Sequence, residues 1–141
     1  MQKKTLIIVG ALVVTITGAM LTMGEYNRVP EGAAEKEEVA QVSATELHDA
    51  FLADEGAATA KYVGTTEQAI RVSGVVRAIE PSGEGLVNVT LETGDPIAGV
   101  VCEFATADVP ADWRPGSSVA LKGICTGFLI DVILNRCAAV E

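Results

Sequence analysis

The chain has 141 residues, which is enough for one domain and a short appendage. Its 19 Asp and Glu residues outnumber its 10 Lys and Arg residues, giving a net charge of −9. Such an acidic balance works against polyanionic partners such as nucleic acids and against anionic lipid headgroups.

The first 24 residues form the appendage. From Thr5 to Met23 the sequence "TLIIVGALVVTITGAMLTM" contains no charged residue, and as a helix it would reach about 28 Å, close to the thickness of a bilayer core. We predict a transmembrane anchor over residues 1–24 that contacts the bilayer through residues 5–23. A cleaved signal peptide is the alternative, because "TGA" at 17–19 resembles a cleavage site. A lipoprotein signal is excluded, since no cysteine lies near the end of the run.

The orientation of this anchor follows from its charges. Lys3 and Lys4 lie on its short N-terminal side, and positive charges remain in the cytoplasm. We therefore predict a single-pass protein with a cytoplasmic N-terminus and its remaining residues outside the cytoplasm.

A polar linker is predicted over residues 25–42, where the sequence is rich in charges and has a Pro-Glu-Gly turn. The folded domain is predicted over 43–141. It begins with Ser43 and Glu46, the spacing of a helix capping box. An amphipathic helix is predicted over 44–62, because Leu47, Phe51, Ala58 and Tyr62 recur at helical spacing.

Beyond Gly64 the apolar period changes from that of a helix to that of a strand. Five short alternating segments follow, and Gly74 in the first indicates a bulge or sharp bend. A connector with two prolines and Trp113 separates the third segment from the fourth. The segments are "AIRVSGVVRAIEP", "LVNVTLETG", "IAGVVCEFAT", "SVALKGICTGF" and "LIDVILNRCAAVE". Short strands in this order predict a mainly β domain, a five-stranded closed barrel preceded by a helix.

The domain resembles the tRNA-anti-like family of bacterial OB-fold domains. The resemblance lies in the helix ending "KYVG", then "GVVCEF", and finally "VALKGICTGFLIDVILNRC" with its Gly-x-Cys-x-Gly and Asn-x-Cys patterns. It covers roughly residues 43–140 and implies an OB fold. Family members are often membrane-anchored or exported, which implies a bacterial inner-membrane protein with a periplasmic domain.

An OB barrel raises the possibility of nucleic-acid binding, which uses outward aromatic rings beside a basic groove. Here Phe104 shares the inward face, Phe128 falls in a turn, and the charge is acidic. The sequence therefore predicts no nucleic-acid partner. A heme chaperone of similar architecture would need a histidine near the C-terminus, but the single histidine, His48, is predicted to be a solvated helix residue. We predict no cofactor, no metal site and no catalytic residue.

Three cysteines remain to be explained. Cys102 and Cys125 fall on inward faces, where they can be ordinary core residues. Cys137 breaks the alternation of Ile130, Val132 and Leu134, unless a bulge at Asn135–Arg136 restores it. The third and fifth strands of an OB barrel are neighbours, so Cys102 and Cys137 are the best candidates for a disulfide in an oxidising compartment.

These observations predict a non-catalytic binding or assembly module, an accessory part of an envelope complex, with an unidentified envelope protein as partner. The alternative is a small-ligand or heme carrier that uses the barrel. Trp113 is the candidate partner contact, since tryptophan is frequent among binding hot spots. It could instead cap the mouth of the barrel.

Overall fold

The computed structural model describes residues 31–141. The predicted anchor and residues 25–30 of the predicted linker lie outside this range. The helices are α1 (Ala44–Ala53) and α2 (Glu55–Ala58), a π-helical turn (Thr59–Val63) and a 3-10 turn (Thr106–Asp108). The strands are β1 (Glu38–Ser43), β2 (Ala69–Gly83), β3 (Leu86–Leu91), β4 (Val100–Ala105), β5 (Ser118–Phe128) and β6 (Val132–Val140). Between residues 31 and 141, no helix has the length and apolar character needed to cross a membrane.

Strands β2 to β6 form the predicted five-stranded barrel. They follow the order β2-β3-β4-β6-β5, and β5 pairs again with β2 to close it. All neighbours are antiparallel except β4 and β6, which run parallel. This is the strand arrangement of the OB fold, with the third and fifth barrel strands side by side.

Strand β1 was not predicted from the sequence, because residues 38–42 fell within the predicted linker and Ser43 was predicted to cap the helix. Its alternation is short and follows a run of charges, so it carries little strand signal. In the structure β1 pairs in parallel with the first half of β2. The Glu38 carboxylate accepts a hydrogen bond from Arg71 Nε at 3.0 Å, which helps to hold β1 on the sheet.

The capping box at Ser43 and Glu46 is confirmed. The Glu46 N–H donates to Ser43 Oγ at 3.2 Å, and the Ser43 N–H donates to Glu46 Oε2 at 3.0 Å. The predicted single helix is divided at Asp54, whose backbone is extended and whose carboxylate accepts from the Ala57 N–H at 3.0 Å. Asp54 favours a new helix start because its side chain satisfies an N-terminal donor.

The inward side chains of the barrel form one apolar core. Phe51, Tyr62 and the rest of the leading helices cover it at one end. The fully buried large residues are Phe51, Phe104, Leu47, Ile70, Leu91, Leu121, Leu134, Val72, Val76, Val89, Val100 and Val132. Burial of these side chains is the main source of stability for the fold.

The sequence predicted a bulge or sharp bend at Gly74, but the register of β2 does not shift at this residue. The register of β2 against β3 shifts between Val76 and Ala78 and again between Pro81 and Gly83. A Cβ on Gly74 would lie 3.1 Å from the Ala44 Cβ, so glycine allows the start of α1 to approach the strand.

Candidate binding surfaces

Trp113 lies in the connector between β4 and β5 and packs against the end of the barrel. Its ring meets the Phe104 ring edge-on, with centroids 5.7 Å apart and planes at 83°. The backbone N–H of Trp113 donates to the Pro110 carbonyl at 3.1 Å. The backbone N–H of Gly116 donates to the Val76 carbonyl at 2.8 Å. Trp113 is thus held in place as a partial cap of the core.

The half-buried Trp113 also forms one wall of an open groove of about 550 Å³. The floor consists of outward residues from paired positions, Ser73 opposite Ala120 and Val75 opposite Ser118. The groove is completed by Gly74, Val119, Val140 and Glu141. Its walls are therefore mostly small, aliphatic or hydroxyl-bearing side chains.

A second surface is formed by the loop between β3 and β4. The Asp95 carboxylate accepts hydrogen bonds from the N–H groups of Ile97 and Ala98, at 2.7 and 2.8 Å. These two bonds hold the pKa of Asp95 below its ordinary value. Arg77 donates to the carbonyls of Asp95 and Ala98, at 2.7 and 3.2 Å. The hydrogen bonds of Asp95 and Arg77 therefore fix the conformation of the loop.

Arg77 is itself held by Glu92. Its Nη2 and Nε donate to one carboxylate oxygen of Glu92, at 2.7 and 2.9 Å. This contact raises the pKa of the Arg77 guanidinium, so the group stays charged while it clamps the loop.

The loop between β5 and β6 is tied to the same end of the barrel. The Gly99 N–H donates to Asp131 Oδ1 at 2.7 Å, and the Val132 N–H donates to the Gly99 carbonyl at 3.1 Å. The two loops therefore form one rigid edge.

This edge exposes three large apolar side chains. Ile97 is 80% exposed, Leu129 is 88% exposed and Ile130 is 65% exposed. We name these three residues the apolar tip. The alternation in the sequence predicted that Ile130 faces inward together with Val132 and Leu134. This prediction is wrong, because β6 begins only at Val132. This surface could have been predicted from the sequence, because the turn sequences "GDPIAG" and "GFLID" contain large apolar residues.

The structure brings Cys102 and Cys137 together in the core, and all three cysteines of the chain are free and buried. The bulge at Asn135–Arg136 that the sequence left open is present. Arg136 has φ of 50°, the register between β5 and β6 shifts beside it, and Cys137 faces inward. Burial raises the pKa of the Cys102 thiol, and a hydrogen bond with Cys137 raises it further. Burial raises the pKa of Cys125 to about 11. The thiols of Cys102 and Cys125 are therefore protonated at neutral pH.

His48 was expected to be solvated, and this is wrong. It is only 2% exposed, and its ring meets the Phe128 ring edge-on at 6.0 Å. The reason is that Phe128 lies at the end of β5 and covers this face of α1. Within residues 31–141, no group of three or more His, Cys, Asp or Glu side chains could hold a metal ion.

OB folds commonly bind oligonucleotides and oligosaccharides on the face of their second and third strands, here β3 and β4. The half-buried side chains that alternate with the core residues on these strands are Asn88, Thr90, Val101 and Glu103. This face offers hydrogen-bonding groups of mixed character.

The barrel topology and these surfaces define an OB-fold domain of the binding type. The chain belongs to the tRNA_anti-like family, which matches residues 1–139. The resemblance seen in the sequence is therefore confirmed. No curated protein matches the chain.

Two solved structures are similar. One is the crystal structure of a "putative nucleic acid-binding lipoprotein" from Klebsiella pneumoniae subsp. pneumoniae MGH 78578, at 18% identity and a TM-score of 0.57. The match covers 72% of this chain and 92% of that one. The other is a "putative aspartyl-tRNA synthetase" from Leishmania major Friedlin, at 11% identity and a TM-score of 0.39, covering 81% of this chain and 22% of that one.

The Klebsiella structure corrects one prediction. The sequence was taken to rule out a nucleic-acid partner, yet a protein of the same fold is named for nucleic-acid binding. The prediction weighed net charge, aromatic rings and the predicted extracytoplasmic location, and these do not decide what an OB barrel binds.

Proposed function

We propose that the chain is a membrane-anchored binding module whose OB domain lies outside the cytoplasm and docks a protein of the cell envelope. The module performs no catalysis of its own. The observation that carries this proposal is the apolar tip formed by Ile97, Leu129 and Ile130. The Gly99–Asp131 hydrogen bond joins the two loops that carry these side chains, and exposed apolar patches mark interaction surfaces.

The rigidity of the tip supports this role. Binding through a mobile loop costs ordering entropy, whereas the bonds of Asp95, Asp131 and Arg77 order these loops in the free protein. Two carboxylates, those of Asp95 and Asp131, belong to the same two loops as the tip. The matching partner surface is an apolar pocket with Lys or Arg at its rim.

The interior of the barrel favours docking over the carrier alternative. Its inward side chains form a filled apolar core, and the buried polar residues among 31–141 are His48 and Thr93. Thr93 is used within the β3–β4 loop, where its hydroxyl donates to the Ala98 carbonyl at 2.8 Å.

The docking proposal is tested with a double variant, Leu129→Ser with Ile130→Ser. The tagged full chain is purified in mild detergent, and the co-eluting envelope proteins are quantified by mass spectrometry. Full burial of each side chain is worth about 1.5–3 kcal/mol, so we expect recovery of the partner to fall at least about tenfold.

The matched control for this variant is Leu86→Ser, in the β2–β3 hairpin at the other end of β3. Leu86 is 37% exposed and should leave recovery unchanged. Equal recovery from the tip variant and the wild type, at equal melting temperature, would remove the apolar tip as the docking surface.

The location is tested separately. A reporter fused after Glu141 should be active only outside the cytoplasm, because Lys3 and Lys4 hold the N-terminus inside. Activity in the cytoplasm would reverse this assignment. A mature chain beginning near Met20 would show that the segment is cleaved.

Nucleic-acid binding is the second candidate function, and the name of the similar Klebsiella protein favours it. The outward groups of β3 and β4, such as Asn88 and Thr90, would be the contact residues. Titration with labelled single-stranded DNA and RNA at two salt concentrations tests it. Binding that weakens steeply with salt would support this function.

A further inference from the structure

We propose that the groove beside Trp113 is a binding site for an uncharged saccharide. The inference deepens the proposed role as an exported binding module, because it gives that module a second ligand on a separate surface. The groove is built from β2, β5, β6 and the connector. It therefore lies away from the β3–β4 face and does not include the apolar tip.

The first argument is the shape of the site. Its volume of about 550 Å³ is within the range of small-molecule sites. Trp113 lines the groove, and its position is fixed by contact with Phe104 and by a backbone hydrogen bond to Pro110. A sugar ring has an apolar face of C–H groups, which packs well on an aromatic ring.

The second argument is the distribution of polar groups. A sugar ring carries hydroxyls around its edge, and these need partners on both sides of the apolar contact. Ser73 and Ser118 are exposed on the groove floor, so their hydroxyls are open to a ligand as donors and acceptors. Val75 and Ala120 alternate with them and supply apolar contact. This mixture matches a saccharide better than a purely apolar ligand.

The third argument is charge. Among residues 31–141, Glu141 is the only residue with an ionisable side chain that lines the groove. Among residues 31–141 there are 18 Asp and Glu against 7 Lys and Arg, so the surrounding field is negative. An uncharged ligand enters this field without repulsion, and no groove cation is required to hold it.

The test uses the full chain in mild detergent and the fluorescence of its single tryptophan, so that the signal belongs to Trp113. The probes are maltotriose, cellotriose and chitotriose, with a short oligothymidylate as the charged comparison. We expect a saturable change in Trp113 emission with at least one of the three saccharides.

Variants of the floor make the assignment specific. Ser73→Ala and Ser118→Ala should each weaken binding by about fivefold, the effect of one hydrogen bond. Ser82→Ala, in the exposed β2–β3 hairpin, should bind as the wild type does. The double variant of the tip, Leu129→Ser with Ile130→Ser, should also keep the saccharide response. Loss of partner docking is thus separable from loss of saccharide binding.

Three results would overturn the inference. They are an absence of saturable change with every saccharide, a response to oligothymidylate alone, and unchanged affinity in both serine variants. The second result would instead assign the groove to nucleic acid.

Discussion

The ring of Phe51 stacks on the ring of Phe128, with centroids 5.4 Å apart and planes inclined by 23°. Phe51 belongs to α1 and Phe128 ends β5, so this pair joins the leading helix to the barrel. Tyr62 extends the cluster, with its ring centroid 6.2 Å from that of Phe51. The helix is therefore part of the barrel's core and not an independent element.

Phe51→Ala should lower the free energy of unfolding by about 3–5 kcal/mol, because it leaves a cavity beneath α1. Urea unfolding followed by circular dichroism measures this. Leu52→Ala is the matched control, since Leu52 is 61% exposed and should cost little. A loss below about 1 kcal/mol in the Phe51 variant would mean that the helix lies apart from the core.

Trp113→Ala should lower the melting temperature by several degrees. The ring loses its edge-on contact with Phe104, and a loss of 1 kcal/mol shifts a domain of this size by roughly 4–8 °C. Trp113→Phe keeps an aromatic ring and should recover part of the loss. An unchanged melting temperature in the alanine variant would show that Trp113 does not act as a cap.

Gly123→Ala should destabilise the barrel by about 1–3 kcal/mol through overpacking. The new Cβ would lie 2.7 Å from Cys137 Sγ and 2.8 Å from Leu134 Cδ2. Adding Cys137→Ala removes one of these contacts and should restore part of the stability. Gly56→Ala is the control, because its nearest neighbour is at an ordinary 3.5 Å. Equal stability of Gly123→Ala and wild type would contradict this packing.

Stability should fall as the pH is lowered through the carboxyl range. The pKa of folded Asp95 lies below its ordinary 3.8, and that of Glu46 below 4.5, because backbone N–H groups bind both carboxylates. A lowered folded pKa gives stability that is present above the unfolded value and lost as pH falls through the folded value. Urea unfolding from neutral pH to about pH 3 measures the slope. Asp95→Asn should make it shallower, and an identical slope would contradict the role of Asp95.

The disulfide between Cys102 and Cys137 stays a prediction, and a thiol titration tests it. For this titration the protein is produced with export to an oxidising compartment. It is then purified without reductant and denatured. We expect one reactive thiol, that of Cys125, because the other two groups are neighbours in the core. Protein made under reducing conditions should give all three. Three thiols in the exported protein would show that the pair remains reduced.

Periodicity alone was enough to predict the barrel. Alternation located all five barrel strands, and the spacing of Ser43 and Glu46 gave the start of α1. The break in alternation at Cys137 left two possibilities, an outward thiol or a bulge at Asn135–Arg136, and the structure has the bulge. Each of these features depends on residues that are close together in the sequence, so the sequence pattern alone can indicate it.

Features that depend on distant residues could not be predicted in this way. His48 is buried because Phe128 packs over it, and the two are 80 positions apart. The apolar tip forms only when the closed barrel brings two loops together through Gly99 and Asp131. Strand β1 likewise needs the exposed edge of β2 as a partner.

The parallel pairing of β1 with β2 has a mechanical consequence. A force applied to the residues before Glu38 acts along β1. This direction is nearly perpendicular to the hydrogen bonds that join β1 to β2. The ladder from Glu38–Ala69 to Ser43–Ser73 is then loaded in shear, so its hydrogen bonds resist together and do not open one at a time. A domain tethered through its N-terminus would in this way withstand tension before the barrel itself is strained.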